Sequence, residues 1–211
     1  MNPRPSENSD RKGNALARLF ASKERNGLAR ERHDWMRHRF QTEAPQVVAV
    51  ADGLFITPKA VAAQMVALLD PEEGATILEP SAGTGRLIDA IQATGRECKI
   101  TAVENCKELA KVLYEKYQTV ILRESDFLET SLGLFDCVLM NPPFRRGTDV
   151  AHITKALGHL KPGGRLVSLC YNGSAQNKAL KPLATTWEVL PPGSFKESGT
   201  MADVVMLSIF T

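Results

Sequence analysis

Ile77-Leu78-Glu79-Pro80-Ser81-Ala82-Gly83-Thr84-Gly85-Arg86-Leu87 reads as an apolar strand running into a Gly-x-Gly turn that opens a helix. Glycines at such a turn let the backbone approach a ligand closely. In open α/β sheets, ligands bind beyond the carboxyl ends of the strands, which is where this turn lies. Two nucleotide-binding readings fail at the level of single residues. A P-loop requires GxxxxGK[ST], and Gly85 is followed by Arg86-Leu87; a dinucleotide fold requires a third glycine where Ile88 stands.

Working outward from this turn, short β-rich runs alternate with helical patterns. The strand runs are 76–78, 99–103, 119–122, 135–140 and 165–169; the helical ones are 87–93, 106–117 and 149–160. The runs 187–190 and 204–210 close the chain with no long helix between them, which predicts an antiparallel pair at one edge. Thr57-Pro58 before 59–69 predicts one more helix, with Thr57 as N-cap and Pro58 at the first helical position. The fold class is α/β, doubly wound, with a mainly parallel sheet covered on both faces.

Composition narrows the class. The 211 residues are 43% hydrophobic and 24% charged, too apolar for a disordered protein and enough to bury a sizeable core. No apolar run reaches the roughly 18–20 residues of a membrane span, and 1–10 lacks a secretory signal, so a soluble cytoplasmic protein without membrane contact is expected. Cys98, Cys106, Cys137 and Cys170 form no CxxC, and the four histidines form no HxxxH or HExxH; no metal site is expected. Cys137 and Cys170 lie in apolar runs and read as small buried hydrophobes. Residues 1–13 read as a disordered tail, 14–45 as a basic helical extension and 46–211 as the globular domain. Residues 1–45 hold ten Lys and Arg against six Asp and Glu, while the remainder is slightly acidic; such an extension can contact phosphates, although a basic helix is more often only a solvated face.

Two further strand ends carry acidic groups. Glu104 closes Ile100-Thr101-Ala102-Val103-Glu104, where a carboxylate can accept both hydroxyls of a ribose. Ser125-Asp126-Phe127 follows the third strand; Asp126 can accept from an adenine amino group and Phe127 can pack on the ring. Each could instead be a helix cap or a loop residue. Three strand ends with compatible groups together favour an adenosine-containing ligand.

The order EPSAGTG, AVEN, SDF and then Asn141-Pro142-Pro143-Phe144 resembles the class I S-adenosylmethionine-dependent methyltransferases, and among them those that methylate exocyclic amino groups, including DNA N6-adenine enzymes of phage and prophage type. The resemblance runs from about Leu54 to Thr211. It implies a Rossmann-like seven-stranded sheet with an antiparallel edge strand, and S-adenosylmethionine as cofactor. Phe55, Thr57, Glu79, Ser81, Gly83, Gly85, Glu104, Asp126 and Phe127 would hold that cofactor. Phe55-Ile56-Thr57-Pro58 matches the family's FxTP segment, and Leu160-Lys161-Pro162-Gly163-Gly164 matches its LKPGG turn, read as structural.

Asn141 follows an apolar strand, and two prolines after it fix φ and remove two backbone donors, leaving carbonyls free to accept. An aromatic amine is a poor nucleophile because its lone pair is delocalised. If the Asn141 side-chain oxygen and the Pro142 carbonyl accept its hydrogens, the nitrogen gains sp³ character and can attack an in-line methyl group; most of the catalysis is orientation. Asn141, Pro142 and Phe144 are thus the candidate catalytic residues, with Phe144 stacking on the substrate. The competing reading is a proline-rich turn with Phe144 in the core.

Such motifs serve adenine N6 in DNA or RNA, guanine N2 in RNA and the glutamine amide in protein. Arg145 and Arg146 lie where a flanking phosphate would sit, and with the basic extension they favour nucleic acid, DNA ahead of RNA. In the adenine enzymes an aromatic from the region before the last strand packs on the second face of the base, which makes Phe195 a further substrate-binding candidate, with a hydrophobic loop anchor as the alternative. The chain has no room for the large target-recognition domain of the restriction-type enzymes, so loose sequence specificity or a specificity partner protein is expected. After DNA adenine, the alternatives are an RNA base, then protein glutamine, then a methyltransferase-like binding protein without turnover.

Overall fold

The computed structural model describes residues 55–211; the tail over 1–13 and the extension over 14–45 lie outside the described residues. Seven strands form one sheet: β1 (Thr76–Glu79), β2 (Lys99–Glu104), β3 (Ile121–Glu124), β4 (Phe135–Met140), β5 (Leu160–Tyr171), β6 (Thr186–Val189) and β7 (Val204–Phe210). Their order is β3-β2-β1-β4-β5-β7-β6. Neighbours from β3 to β5 are parallel, and β7 runs antiparallel to both β5 and β6. The helices are α1 (Lys59–Leu69), α2 (Arg86–Gln92), α3 (Lys107–Lys116), α4 (Thr148–Leu157) and α5 (Ser174–Ala179).

The central strands are apolar on both faces because both are covered. Cys137 and Leu139 of β4 join Ile77, Val167 and Leu169 in a core closed by Val61, Met65 and Leu69 of α1 and Leu87, Ile88 and Ile91 of α2. Val138 and Met140, pointing the other way, join Leu78, Val103 and Leu166 in a second core closed by Ile153 and Ala156 of α4. This is the strand period of two read out as two hydrophobic layers. Cys137 and Cys170 are buried as expected, and burial pushes their thiols up to about 11 and about 12. Among the described residues no helix is long and apolar enough to cross a membrane.

Two local expectations are corrected. Helix α1 starts at Lys59 with Pro58, not Thr57, at the N-cap and no side-chain cap; the Thr57 hydroxyl is engaged by Asn141 instead. Strand β5 begins at Leu160, not Arg165, because Leu160 pairs with Phe135 across an irregularity that includes Gly163 at φ 76°. The structural role given to the LKPGG turn has a visible basis. Lys161 Nζ lies 2.9 Å from both carboxylate oxygens of Asp136, which also accepts from Thr76 N at 2.9 Å and Thr76 Oγ1 at 2.6 Å. A side chain at Gly164 would bring its Cβ within 2.8 Å of the Lys161 carbonyl.

Candidate active site

The carboxyl ends of β1, β2, β3 and β4 open into one cleft, lined by the glycine turn, the Glu104 and Asp126 segments and Asn141-Pro142-Pro143. The turn is laced to β2: Ala82 N donates to Val103 O at 3.0 Å and Gly83 N to Glu104 Oε2 at 2.6 Å. Gly83 and Gly85 have φ of 53° and 80°, a region that strains other L-residues. Gly85 has a second reason to lack a side chain, because a Cβ there would lie 2.6 Å from Tyr117 Cε2. The Tyr117 hydroxyl reaches Gly85 O at 2.8 Å and Asp89 Oδ1 at 2.6 Å, supporting the turn from behind. Burial, and after it the bond to Asp89, raises the Tyr117 phenol and keeps it protonated.

The two glutamates at the cleft floor differ sharply. Glu104 is buried, but each oxygen holds a backbone amide, Gly83 N on Oε2 and Cys106 N at 2.8 Å on Oε1. Glu79 is 1% exposed and neither of its oxygens has a hydrogen-bond partner. Burial, with the charge of Glu104 added, raises the Glu79 carboxyl well above the ordinary range. Ser81 Oγ and Arg86 Nε, on residues that line the same cleft, are also buried and unpartnered.

At the end of β4, Asn141 Nδ2 donates to Phe55 O at 3.0 Å and to Thr57 Oγ1 at 2.9 Å. A carbonyl oxygen only accepts, so this contact fixes which way the amide faces. Asn141 Oδ1 is left buried with no partner, on a residue that lines the cleft. The Phe55 and Phe144 rings stack at 6.0 Å and 17° between planes. Phe144 is half-buried, packs against the core and is not itself a wall of the cleft; Arg145 and Arg146 after it are exposed.

Phe55, Thr57, Glu79, Ser81, Gly83, Glu104, Asp126, Asn141 and Pro142 all line this one cleft, and Gly85 sits between the lining residues Thr84 and Arg86 without being one itself. One aromatic expectation is corrected. Phe195 is 1% exposed and belongs to the core, so it anchors its loop and offers no face to a base; Met201, nearer to β7, is a large exposed hydrophobe. Phe127 lines the cleft, 2% exposed, with its ring also against His152, His159 and the Lys155 ammonium. Asp126 keeps both roles open: it lines the cleft while its carboxylate caps a short turn through Leu128 N at 2.8 Å.

Three residues escaped the sequence reading. Arg86 lines the cleft one position beyond the glycine turn. His152 of α4 lines it too, its Nδ1 donating to the Thr148 carbonyl at 2.9 Å. Tyr117 sits 32 positions from the Gly85 carbonyl that it supports. Arg86 follows the glycine turn directly, whereas no sequence pattern marks His152 or Tyr117, which the topology brings in.

A sheet of this order, with a glycine turn after β1, acidic groups ending β2 and following β3 and an Asn-Pro-Pro turn after β4, defines a Rossmann-like methyltransferase domain. The match of residues 60–193 to the methyltransferase small domain bears this out, and the chain belongs to that family. It is 32% identical over 97 residues to the modification methylase CviBIII of Paramecium bursaria Chlorella virus NC1A, covering 44% of this chain and 26% of that protein. Its fold is similar to that of a type I restriction-modification methyltransferase subunit from Streptococcus thermophilus (TM-score 0.63, 20% identity, 76% of this chain and 45% of that one). It is also similar to a candidate RNA methyltransferase from Pyrococcus horikoshii (TM-score 0.64, 17% identity, 86% of this chain and 98% of that one). The chain thus spans about a quarter of the viral methylase and less than half of the streptococcal subunit.

Methyltransferases of this kind in general use S-adenosylmethionine, and the cleft fits it. The turn at Gly83 and Gly85 leaves room for close approach, Glu104 can take a ribose edge with its remaining lone pairs, and the unpartnered Glu79 carboxyl suits a cationic ligand.

Proposed function

We propose that this protein transfers a methyl group from S-adenosylmethionine to an exocyclic amino nitrogen, foremost N6 of adenine in DNA. One observation carries the reading: the Asn141 amide is fixed by two hydrogen bonds through Nδ2, and its Oδ1 is an unused buried acceptor. An amine hydrogen bonded to Oδ1, with a second on the Pro142 carbonyl, localises the nitrogen lone pair. Phe55 and Thr57 hold Oδ1 still, so acceptance of the hydrogens carries little reorganisation cost. When bound, S-adenosylmethionine supplies an electrophilic methyl on a sulfonium centre. No strong base is needed, because the nitrogen loses its proton only after it has gained the methyl.

The similarity to a viral modification methylase and the exposed Arg145-Arg146 pair support DNA over RNA or a protein amide. A base in duplex DNA must leave the stack to reach Asn141, with phosphate contacts holding the backbone. Loose sequence preference, or a partner that supplies it, goes with this reading.

The test is label transfer from tritiated S-adenosylmethionine to duplex DNA, total RNA and a protein lysate, each incubated separately. Label recovered as N6-methyldeoxyadenosine supports the proposal; label only in RNA or protein keeps the amino-group chemistry and overturns the substrate. Asn141→Ala should bind cofactor as before and lose at least about 100-fold in kcat, the scale of a lost preorganised hydrogen-bonding group. Undiminished turnover in that variant would remove the mechanism.

A further inference from the structure

Glu79 is the most unusual ionisable group among the described residues. It ends β1 at the floor of the cleft, 1% exposed, with no donor on either oxygen. The like-charged group facing it, Glu104 at the end of β2, is provided with two backbone amides. Two neighbouring carboxyls with such unequal environments differ in what each can hold: Glu104 has two amides to compensate a charge and Glu79 has none, so Glu79 keeps its proton. The other ionisable groups around the cleft are Arg86 on α2, Cys106 at the start of α3, Asp126 after β3 and His152 on α4; none of them donates to Glu79. Tyr117, at the end of α3, stays protonated and spends its hydroxyl on Gly85 and Asp89.

We infer that Glu79 is a neutral carboxylic acid in the ligand-free cleft and gives up its proton when a cationic group of the cofactor is seated beside it, so that cofactor binding releases one proton. The inference rests on the methyltransferase reading of the cleft. The carboxyl O–H bond breaks, the proton goes to solvent, and the carboxylate left behind is compensated by the ligand's positive charge. S-adenosylmethionine brings two such charges, a sulfonium and an ammonium. S-adenosylhomocysteine keeps only the ammonium, and 5′-methylthioadenosine keeps neither.

Isothermal titration calorimetry of the full chain at about pH 6, where an ordinary glutamate is already ionised, tests this in two buffers of different ionisation heat. The expected result is about one proton released per S-adenosylmethionine bound and none with 5′-methylthioadenosine. Release with S-adenosylhomocysteine as well places the ammonium beside Glu79; release with S-adenosylmethionine alone places the sulfonium there and makes the site a sensor of the transferable methyl. The S-adenosylmethionine Kd should weaken by up to about tenfold for each unit of falling pH over the same window, and Glu79→Gln should abolish both the release and the slope. Binding without proton release, or release that persists in Glu79→Gln, overturns the inference and leaves the methyltransferase reading intact. Absence of any S-adenosylmethionine binding overturns both. The proton count needs only the unaltered chain, so it stands even if the variant does not fold.

Discussion

Tyr117 and Gly85 show how one contact couples sequence to cofactor binding at the residue scale. The phenol occupies the volume that a side chain at position 85 would need, and its hydroxyl holds the Gly85 carbonyl at 2.8 Å. Tyr117→Phe keeps the packing and removes the hydrogen bond, worth about 1 kcal/mol net. The expected outcome is a several-fold rise in the S-adenosylmethionine KM with kcat unchanged, measured by steady-state kinetics. A fall in kcat at constant KM would mean that Tyr117 acts on the reacting end instead. Gly85→Ala is the harsher change, combining a φ of 80° with the ring clash. It should destabilise the fold by about 2 kcal/mol or more and abolish cofactor binding, read by thermal unfolding and calorimetry. The glycine turn itself was legible in the sequence. Its partner was not, since nothing in Glu115-Lys116-Tyr117-Gln118 announces a contact 32 residues away.

The strand ends far from the cleft carry a prediction at the scale of elements. Asp136 of β4 joins Thr76 of β1 to Lys161 of β5, and the bonds from Thr76, followed by that from Lys161, hold its carboxyl well below the usual carboxylate range. A carboxyl lowered by folding stabilises the native state above its unfolded value near 4 and loses that contribution as the pH falls toward its native value. Asp136→Asn should therefore lower stability at pH 7 by about 1 kcal/mol, a figure discounted because the pair is roughly two-fifths exposed. The difference should shrink as the pH falls below about 4, as followed by denaturant unfolding across pH; a gap that stayed constant would make the effect one of shape. Elements were legible where apolar period and turn chemistry agree, as in β4, whose limits 135–140 match, and β7 at 204–210. They were misread where a side chain serves a distant group. Thr57 looks like an N-cap, yet its hydroxyl is engaged by Asn141, and Phe195 looks like a base-stacking aromatic, yet its ring fills the core. The amino-group motif could be read as a string, but the freedom of Asn141 Oδ1 depends on Phe55, 86 positions away.

Charge is distributed unevenly over the whole molecule, and this bears on how it would hold a polyanion. The first 40 residues contain all ten basic residues of the N-terminal segment and five acidic ones, whereas the chain beyond residue 45 has 16 basic and 18 acidic residues. Near the cleft, Arg145 and Arg146 are exposed beside Phe144, too few for strong attachment to a duplex on their own. If DNA is the substrate, the segment before residue 41 should supply most of the phosphate neutralisation and the site should supply the chemistry. Each phosphate neutralised on B-DNA contributes about −0.9 to the slope of log K against log salt. Removing residues 1–40 should therefore weaken duplex binding at low salt and make that slope shallower by about 2 or more. The S-adenosylmethionine KM and the turnover on a short single-stranded oligonucleotide should hold, because the cleft residues among those described run from Phe55 to His152. Fluorescence anisotropy with a labelled duplex at several salt concentrations gives the slope directly. An unchanged slope would assign phosphate contact to the globular domain alone and give the basic segment another role. A flattened slope with unaltered chemistry would separate the two tasks, attachment before residue 41 and amino-group activation at Asn141.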